Sequence, residues 1–324
     1  MDDLDGLTTT ENPKVSDGIS GSRHIRSWQI WLGILWLIVL GLSVIILGVV
    51  VWNNRETLLT ILKSARLEFF VLAAICYVLT NIVMALGWRT GLRAFNVTTS
   101  LWINFKIYFY TLAAKRVPGT IWYIAGRSVL YEKLGVPKRV ISAVSGIEIV
   151  VSFLTGLIVG FPALLIYLTP SIFGALISIG LIICLSAALH PRVLFKIMGR
   201  FLPSVTWGTI RYRSMLTWAF WCSLMWIIGG LMTSSIVLAL YNMDLSLVPL
   251  VITSWSLSGA ISFVAFFLPH NFGITELSLT VLLGRIIPLP VAITVALTCR
   301  VLTTIIDVMF SFAYLVDRTF GMSR

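Results

Sequence analysis

Of the 324 residues, 58% are hydrophobic and 11% charged, against about 25% charged in an ordinary soluble domain, and this excludes a water-soluble globular fold. The net charge of +11 would suit a nucleic-acid binder, but the basic residues occupy short segments between apolar runs, with no recognition motif, so no nucleic-acid partner is expected. The bias instead predicts a multi-pass protein of the cell inner (cytoplasmic) membrane whose basic loops stay in the cytoplasm.

Residues 1–27 are polar and read as a disordered cytoplasmic N-terminus, followed by a single transmembrane domain over 28–324. The first apolar run is too long for a removable signal, lacks a small-residue cleavage site, and reads as a retained anchor. Full spans are predicted at Ile30 to Trp52, Phe69 to Leu92, Val140 to Tyr167, Ser171 to Leu189, Met215 to Tyr241 and Val291 to Val316, each near the ~20 residues that cross ~30 Å of hydrocarbon. Two further apolar stretches are interrupted. Leu101 to Tyr131 contains Lys115-Arg116-Val117-Pro118-Gly119, and Pro249 to Ile287 contains Pro269-His270-Asn271-Phe272-Gly273.

Proline removes a helix hydrogen bond and glycine admits left-handed backbone, so both stretches should break near their middles. Broken backbone at membrane depth persists only when buried in protein or facing a watery cavity. Each is therefore expected to be a re-entrant hairpin that enters and leaves by one face. Arg127, Lys133, Lys138 and Arg139 then return to the cytoplasm, as does His190 to Arg213, and both termini lie inside. The expected architecture is an all-α bundle of six full spans plus two re-entrant hairpins, arranged as inverted repeats over about 69–167 and 215–316. Interrupted helices at matching places in inverted repeats mark transporters, with the breaks meeting at the substrate site.

Several charged residues inside the apolar segments require partners. Lys115, Arg116 and Arg127 flank the first break, where a half-helix starting near Thr120 would add its positive dipole and free N–H groups to form a phosphate-sized anion site. The alternative is that these side chains only reach the interface and anchor the hairpin. Glu148, about 13 Å along the next helix, needs Arg116 or Arg127 beside it. At the second break Asn271 or Thr275 could cap the returning helix, Glu276 suits its first turn, and His270 could exchange protons. Arg300 and Asp307 share one face two turns apart; Glu276 is the expected partner of Arg300.

Cys76, Cys184, Cys222 and Cys299 stand singly without metal spacing, and no HExxH-like group occurs, so neither metal nor cofactor is expected. Gly87-xxx-Gly91 and Gly156-xxx-Gly160 permit close helix approach. Trp28, Trp31, Trp52, Trp88, Trp102 and Trp207 near span ends read as interfacial belts. Asn96-Val97-Thr98 fits the glycosylation pattern but falls on the cytoplasmic side.

The run Arg116-Val-Pro-Gly-Thr-Ile-Trp122, then Arg127, then Glu148, and later Pro269…Gly273-x-x-Glu276, resembles the flippase-like transmembrane family of lysylphosphatidylglycerol synthetases from about residue 30 onward. The resemblance implies the membrane module without the aminoacyl-transfer domain. It also implies that Arg116, Pro118, Gly119, Trp122, Arg127, Glu148, Gly273 and Glu276 line or shape the site. His270, Asn271 and Phe272 replace residues commonly small in that family.

The leading expectation is a lipid flippase or transporter that binds a phospholipid or polyprenyl-phosphate-linked headgroup at a mid-membrane cationic site. The main alternative is a non-catalytic accessory subunit of a membrane glycosyltransferase or lipid-modifying enzyme. A third is a transferase acting on lipid phosphate, with Glu148, His270, Glu276 or Asp307 as general base, for which no nucleophile motif is visible.

Overall fold

Helices are the only regular structure among the described residues, since hydrocarbon offers no partner for unpaired backbone and a helix pairs its own. The computed structural model describes residues 65–116, 121–198, 210–264 and 273–321, with positions 49, 52, 56, 60 and 63 before them. The expected tail 1–27, most of the anchor Ile30 to Trp52, and the two breaks at 117–120 and 265–272 lie outside the described residues. So do Pro118, Gly119, His270, Asn271 and the side chain of Arg116.

In chain order the helices are α1 (Leu67–Ala94), α2 (Leu101–Tyr110), α3 (Ile121–Glu132), α4 (Lys138–Leu168), α5 (Ile172–Ala188), α6 (Pro191–Met198), α7 (Tyr212–Leu240), α8 (Val248–Val264), α9 (Ile274–Leu283) and α10 (Leu289–Gly321). Short 3-10 turns at Ala113–Arg116 and Leu245–Leu247 follow α2 and precede α8. Local chemistry sets several ends. Ser100 and Ser171 cap α2 and α5 by accepting from Ile103 N–H and Gly174 N–H. Asn96, at φ 59°, turns the chain out of α1.

By length and apolarity, Leu67–Ala94, Lys138–Leu168, Tyr212–Leu240, Leu245–Phe263 and Leu289–Ala313 can cross a membrane. Two details differ from the sequence reading. The expected span Ser171 to Leu189 yields a 17-residue helix, α5, roughly 25 Å long. The first half of the second interrupted stretch is itself long enough to cross, because α8 runs 17 residues before the break and is preceded by the 3-10 turn.

The helices flanking both interruptions double back on one another. Tyr131 near the end of α3 donates to Asn104 near the start of α2 at 2.7 Å, so the outer ends of that pair adjoin. In the second pair, Leu250 and Ser254 of early α8 share a cavity wall with Leu282 of late α9. At the opposite end, Ser262 and Thr275 meet at 2.6 Å.

The most extensive packing joins α1 to α7. They run antiparallel: Arg66 N–H donates to Ala239 O at 2.9 Å at one end, and Gly91 faces Trp218 at the other. The doubled-back pairs are exchanged across this axis, with α8 lying on α4 and α2 on α10. Two apolar clusters result. One gathers Trp88, Leu92, Tyr108, Ile147, Met215 and Trp218; the other gathers Ala73, Met232, Ile236, Leu279, Leu283 and Val295.

The glycine spacings do give close packing, against tryptophans at Gly87, Gly91 and Gly156 and against Leu257 at Gly160. An added Cβ at Gly91 would lie 2.5 Å from the Trp218 ring, and one at Gly87 3.2 Å from Trp221 Cβ. Trp88 is correspondingly a core residue, fully buried and donating to Tyr131 at 2.9 Å, which corrects its assignment to an interfacial belt. Its indole N–H has a buried partner, so it does not need the headgroup region. Trp52 and Trp102 are exposed, as expected.

Replacing Gly91 by alanine should destabilise the purified protein in detergent by about 1–3 kcal/mol through overpacking on Trp218. Gly180→Ala, where nothing lies within 4 Å, should leave thermal unfolding unchanged or slightly raised.

Candidate functional site

Polar side chains on otherwise apolar helices mark the interior. On α1, Tyr77, Thr80 and Asn81 fall at i, i+3 and i+4; on α8, Trp255, Ser258, Gly259 and Ser262 fall at i, i+3, i+4 and i+7. Helical spacing puts each set on one face. These faces look onto a chamber of two adjoining compartments, both walled by Tyr77, Trp255 and Thr275.

The larger compartment, about 270 Å³, is lined by Lys115, Tyr108, Asn81, Trp226 and Ser262 among others. The smaller, about 170 Å³, is lined by Glu276, Arg300, Cys299 and Thr303. Lys115 immediately precedes the first break, while Ser262 and Thr275 flank the second. The described residues nearest both interruptions therefore meet at one polar space.

Lys115 Nζ sits 3.3 Å from the Tyr108 hydroxyl and within 5.5 Å of the Tyr123 ring centroid. Glu276 has two tasks. Its Oε2 accepts from Gly273 N–H at 2.8 Å and its Oε1 lies 3.4 Å from Arg300 Nη1. Gly273, at φ 90°, adopts a conformation open mainly to glycine and sets the start of α9. The cap of α9 is thus made by Glu276 on Gly273, and Thr275, expected as a cap, faces Ser262 instead.

Arg127 occupies a different place. Its guanidinium is fully buried, lies 4.4, 4.5 and 5.1 Å from the ring centroids of Trp88, Tyr108 and Tyr123, and meets Glu148 at 2.7 Å. Its Nε donates to Thr111 Oγ1 at 3.3 Å. Cation–π contacts and one short charge-assisted bond replace the lost water. The Arg127 Nη2 and Glu148 Oε1 atoms have no partner among the described residues. Of the partners the sequence allowed for Glu148, the structure therefore supplies Arg127, behind the aromatic wall that Tyr108 presents to the chamber.

Asp307, 1% exposed, accepts from the Tyr77 hydroxyl at 2.7 Å, so Tyr77 stands between this carboxylate and both compartments. Trp122 is 55% exposed and is not among the residues that line either compartment. Among the described residues no grouping of three or more metal-binding side chains occurs. The sequence reading missed Tyr77, Tyr108, Trp226, Trp255 and Ser262; the helical spacing of polar and aromatic residues on α1 and α8 was the signal that could have found them.

Long apolar helices, two doubled-back helix pairs and intramembrane charges define a multi-pass α-helical membrane protein. The model of one family, the lysylphosphatidylglycerol synthase TM region, matches residues 31–311, and the chain belongs to that family. No curated protein matches it.

The two ion pairs should respond differently to mutation. Glu148→Gln leaves a buried guanidinium without its counter-charge and should cost about 3–5 kcal/mol of stability. Glu276→Gln, which can still accept from Gly273 N–H and whose partner Arg300 is 23% exposed, should lower the unfolding temperature less. Thermal unfolding in one detergent compares them.

Proposed function

We propose that this protein moves a lipid between leaflets by admitting its phosphate-bearing headgroup to the chamber while the tails remain in the bilayer. The observation that carries the reading is the joint boundary: the chamber wall is built from residues next to both breaks, with Lys115 in one compartment and Arg300 in the other. A cation near broken backbone in low dielectric attracts an anionic headgroup far more strongly than one in water. The breaks themselves, with Arg116, Pro118, Gly119, His270 and Asn271, would complete the cradle.

The doubled-back pairs are best read as re-entrant, each entering and leaving by one face, with α2 and α9 at 10 residues each spanning only about half of the hydrocarbon. Units α1–α4 and α7–α10 would then be inverted repeats. The antiparallel α1 and α7 and the exchanged contacts of α2 with α10 and of α8 with α4 favour this. Rocking of one unit against the other about α1 and α7 would expose the chamber to each side in turn. This reading keeps the protein in the cell inner membrane with both termini cytoplasmic.

A path for the tails adjoins. Between α1, α2 and α10, among the described residues, lies an apolar groove of about 730 Å³ lined by Val78, Ile82, Phe105, Phe109 and Phe310. Val78 and Phe109 are the sequence neighbours of the chamber residues Tyr77 and Tyr108. Two helices thus separate an acyl-sized groove from a headgroup-sized space. A second reading, an accessory subunit of a membrane glycosyltransferase, draws on the sealed Arg127–Glu148 pair and on the exposed apolar face of α5 at Phe173, Leu176 and Ile183.

Reconstituted in liposomes, the protein should accelerate transbilayer exchange of a fluorescent phospholipid or polyprenyl phosphate, and Lys115→Ala should slow that exchange at least about tenfold. No acceleration for any such lipid, together with a stable co-purifying enzyme, would establish the accessory reading instead.

A further inference from the structure

Resting on the lipid-phosphate reading, we infer that the chamber is built for a phosphate-linked sugar, the phosphate at Lys115 and the sugar against Trp226 and Trp255. A serine or threonine hydroxyl has one proton and two lone pairs, so where the proton goes decides what the group offers a ligand. Thr80 donates to Cys76 O at 2.9 Å, Ser258 to Trp255 O at 2.9 Å and Ser262 to Ser258 O at 2.9 Å. The Asn81 amide donates to Tyr77 O at 3.0 Å. With their protons directed into their own helices, Thr80 and Ser258 present acceptors to the larger compartment, Asn81 offers its amide oxygen beside one remaining N–H, and Ser262 shares a further hydrogen bond with Thr275 at 2.6 Å. An acceptor wall selects a ligand rich in donors.

Two headgroup chemistries bring donors, a polyol and an ammonium, and the carboxylates separate them. Glu276 is the acidic residue among the described chamber walls, and both of its oxygens are engaged, one by Gly273 N–H and one by Arg300. Asp307 is behind Tyr77. An ammonium would meet the positive charge of Lys115 with no carboxylate turned toward it. A sugar has no such conflict: its hydroxyls donate to the acceptor wall and its apolar C–H face lies on an indole. Trp226 is held for this, donating to Ser152 O at 2.9 Å with its ring against Gly259.

The test is equilibrium binding to the full chain in phosphatidylcholine nanodiscs, a headgroup that donates no hydrogen bond. The probes are a short-chain polyprenyl phosphate, the same lipid carrying one hexose through a phosphodiester, and phosphatidylethanolamine. The hexosyl lipid should bind at least about tenfold more tightly than the bare phosphate, the gain of one or two net hydrogen bonds. It should also exceed phosphatidylethanolamine. Thr80→Val combined with Ser262→Ala should bring the hexosyl-to-bare ratio toward one, and Ser258→Ala alone, the milder change, should reduce it if the double variant does not fold. A wild-type ratio near one, or tighter binding of phosphatidylethanolamine, overturns the inference and leaves the lipid-phosphate reading standing. A protein that binds none of the three overturns both.

Discussion

The constraint on which the structure depends is that a broken helix inside hydrocarbon strands backbone donors and acceptors that lipid cannot satisfy. Two such breaks in one chain must be turned toward protein. The antiparallel α1 and α7 form the central packing, and each doubled-back pair lies partly on a long helix distant in sequence: α2 on α10, α8 on α4. Cross-bonds fix this arrangement. Ala113 N–H donates to Ser311 Oγ at 3.0 Å, and the same hydroxyl donates to Phe109 O at 3.2 Å, fastening the turn after α2 to the last helix of the other unit. The polar chamber is walled by the polar faces of α1 and α8, while the apolar faces pack into the two clusters.

Two ion pairs each join a short helix to a long one, with opposite polarity. In one pair the short helix α3 carries the cation, Arg127, and the long helix α4 the carboxylate, Glu148; in the other, the short helix α9 carries Glu276 and the long helix α10 Arg300. Each ties a short, poorly anchored helix to a long one. Their surroundings differ. The first is closed off by three aromatic rings, whereas the second opens on the smaller compartment. The two links thus differ in their access to the chamber.

The broad architecture was legible because hydrocarbon thickness imposes a length on each apolar helix, and the all-helical fold follows from it. Pairing was legible where a lone charge had few candidates, as for Arg127 with Glu148 and Arg300 with Glu276. Neutral groups were not. The partner of Asp307 is a tyrosine 230 positions away, and no rule of charge balance points to a phenol. Trp88 looked interfacial because it lies near a helix end, but Tyr131, brought back by the α2–α3 turn, gives its N–H a buried acceptor. Such contacts depend on long-range packing, which periodicity within one helix does not encode.

Tyr77 touches more of the molecule's logic than any one charge. Its ring forms part of both compartments while its hydroxyl is tethered to Asp307 on α10. A partition fastened to a distant helix cannot swing independently of it. Any twist of α1 relative to α10 must therefore either stretch that tether or carry the ring along, so the shape of both compartments is bound to the register of two helices far apart in the chain.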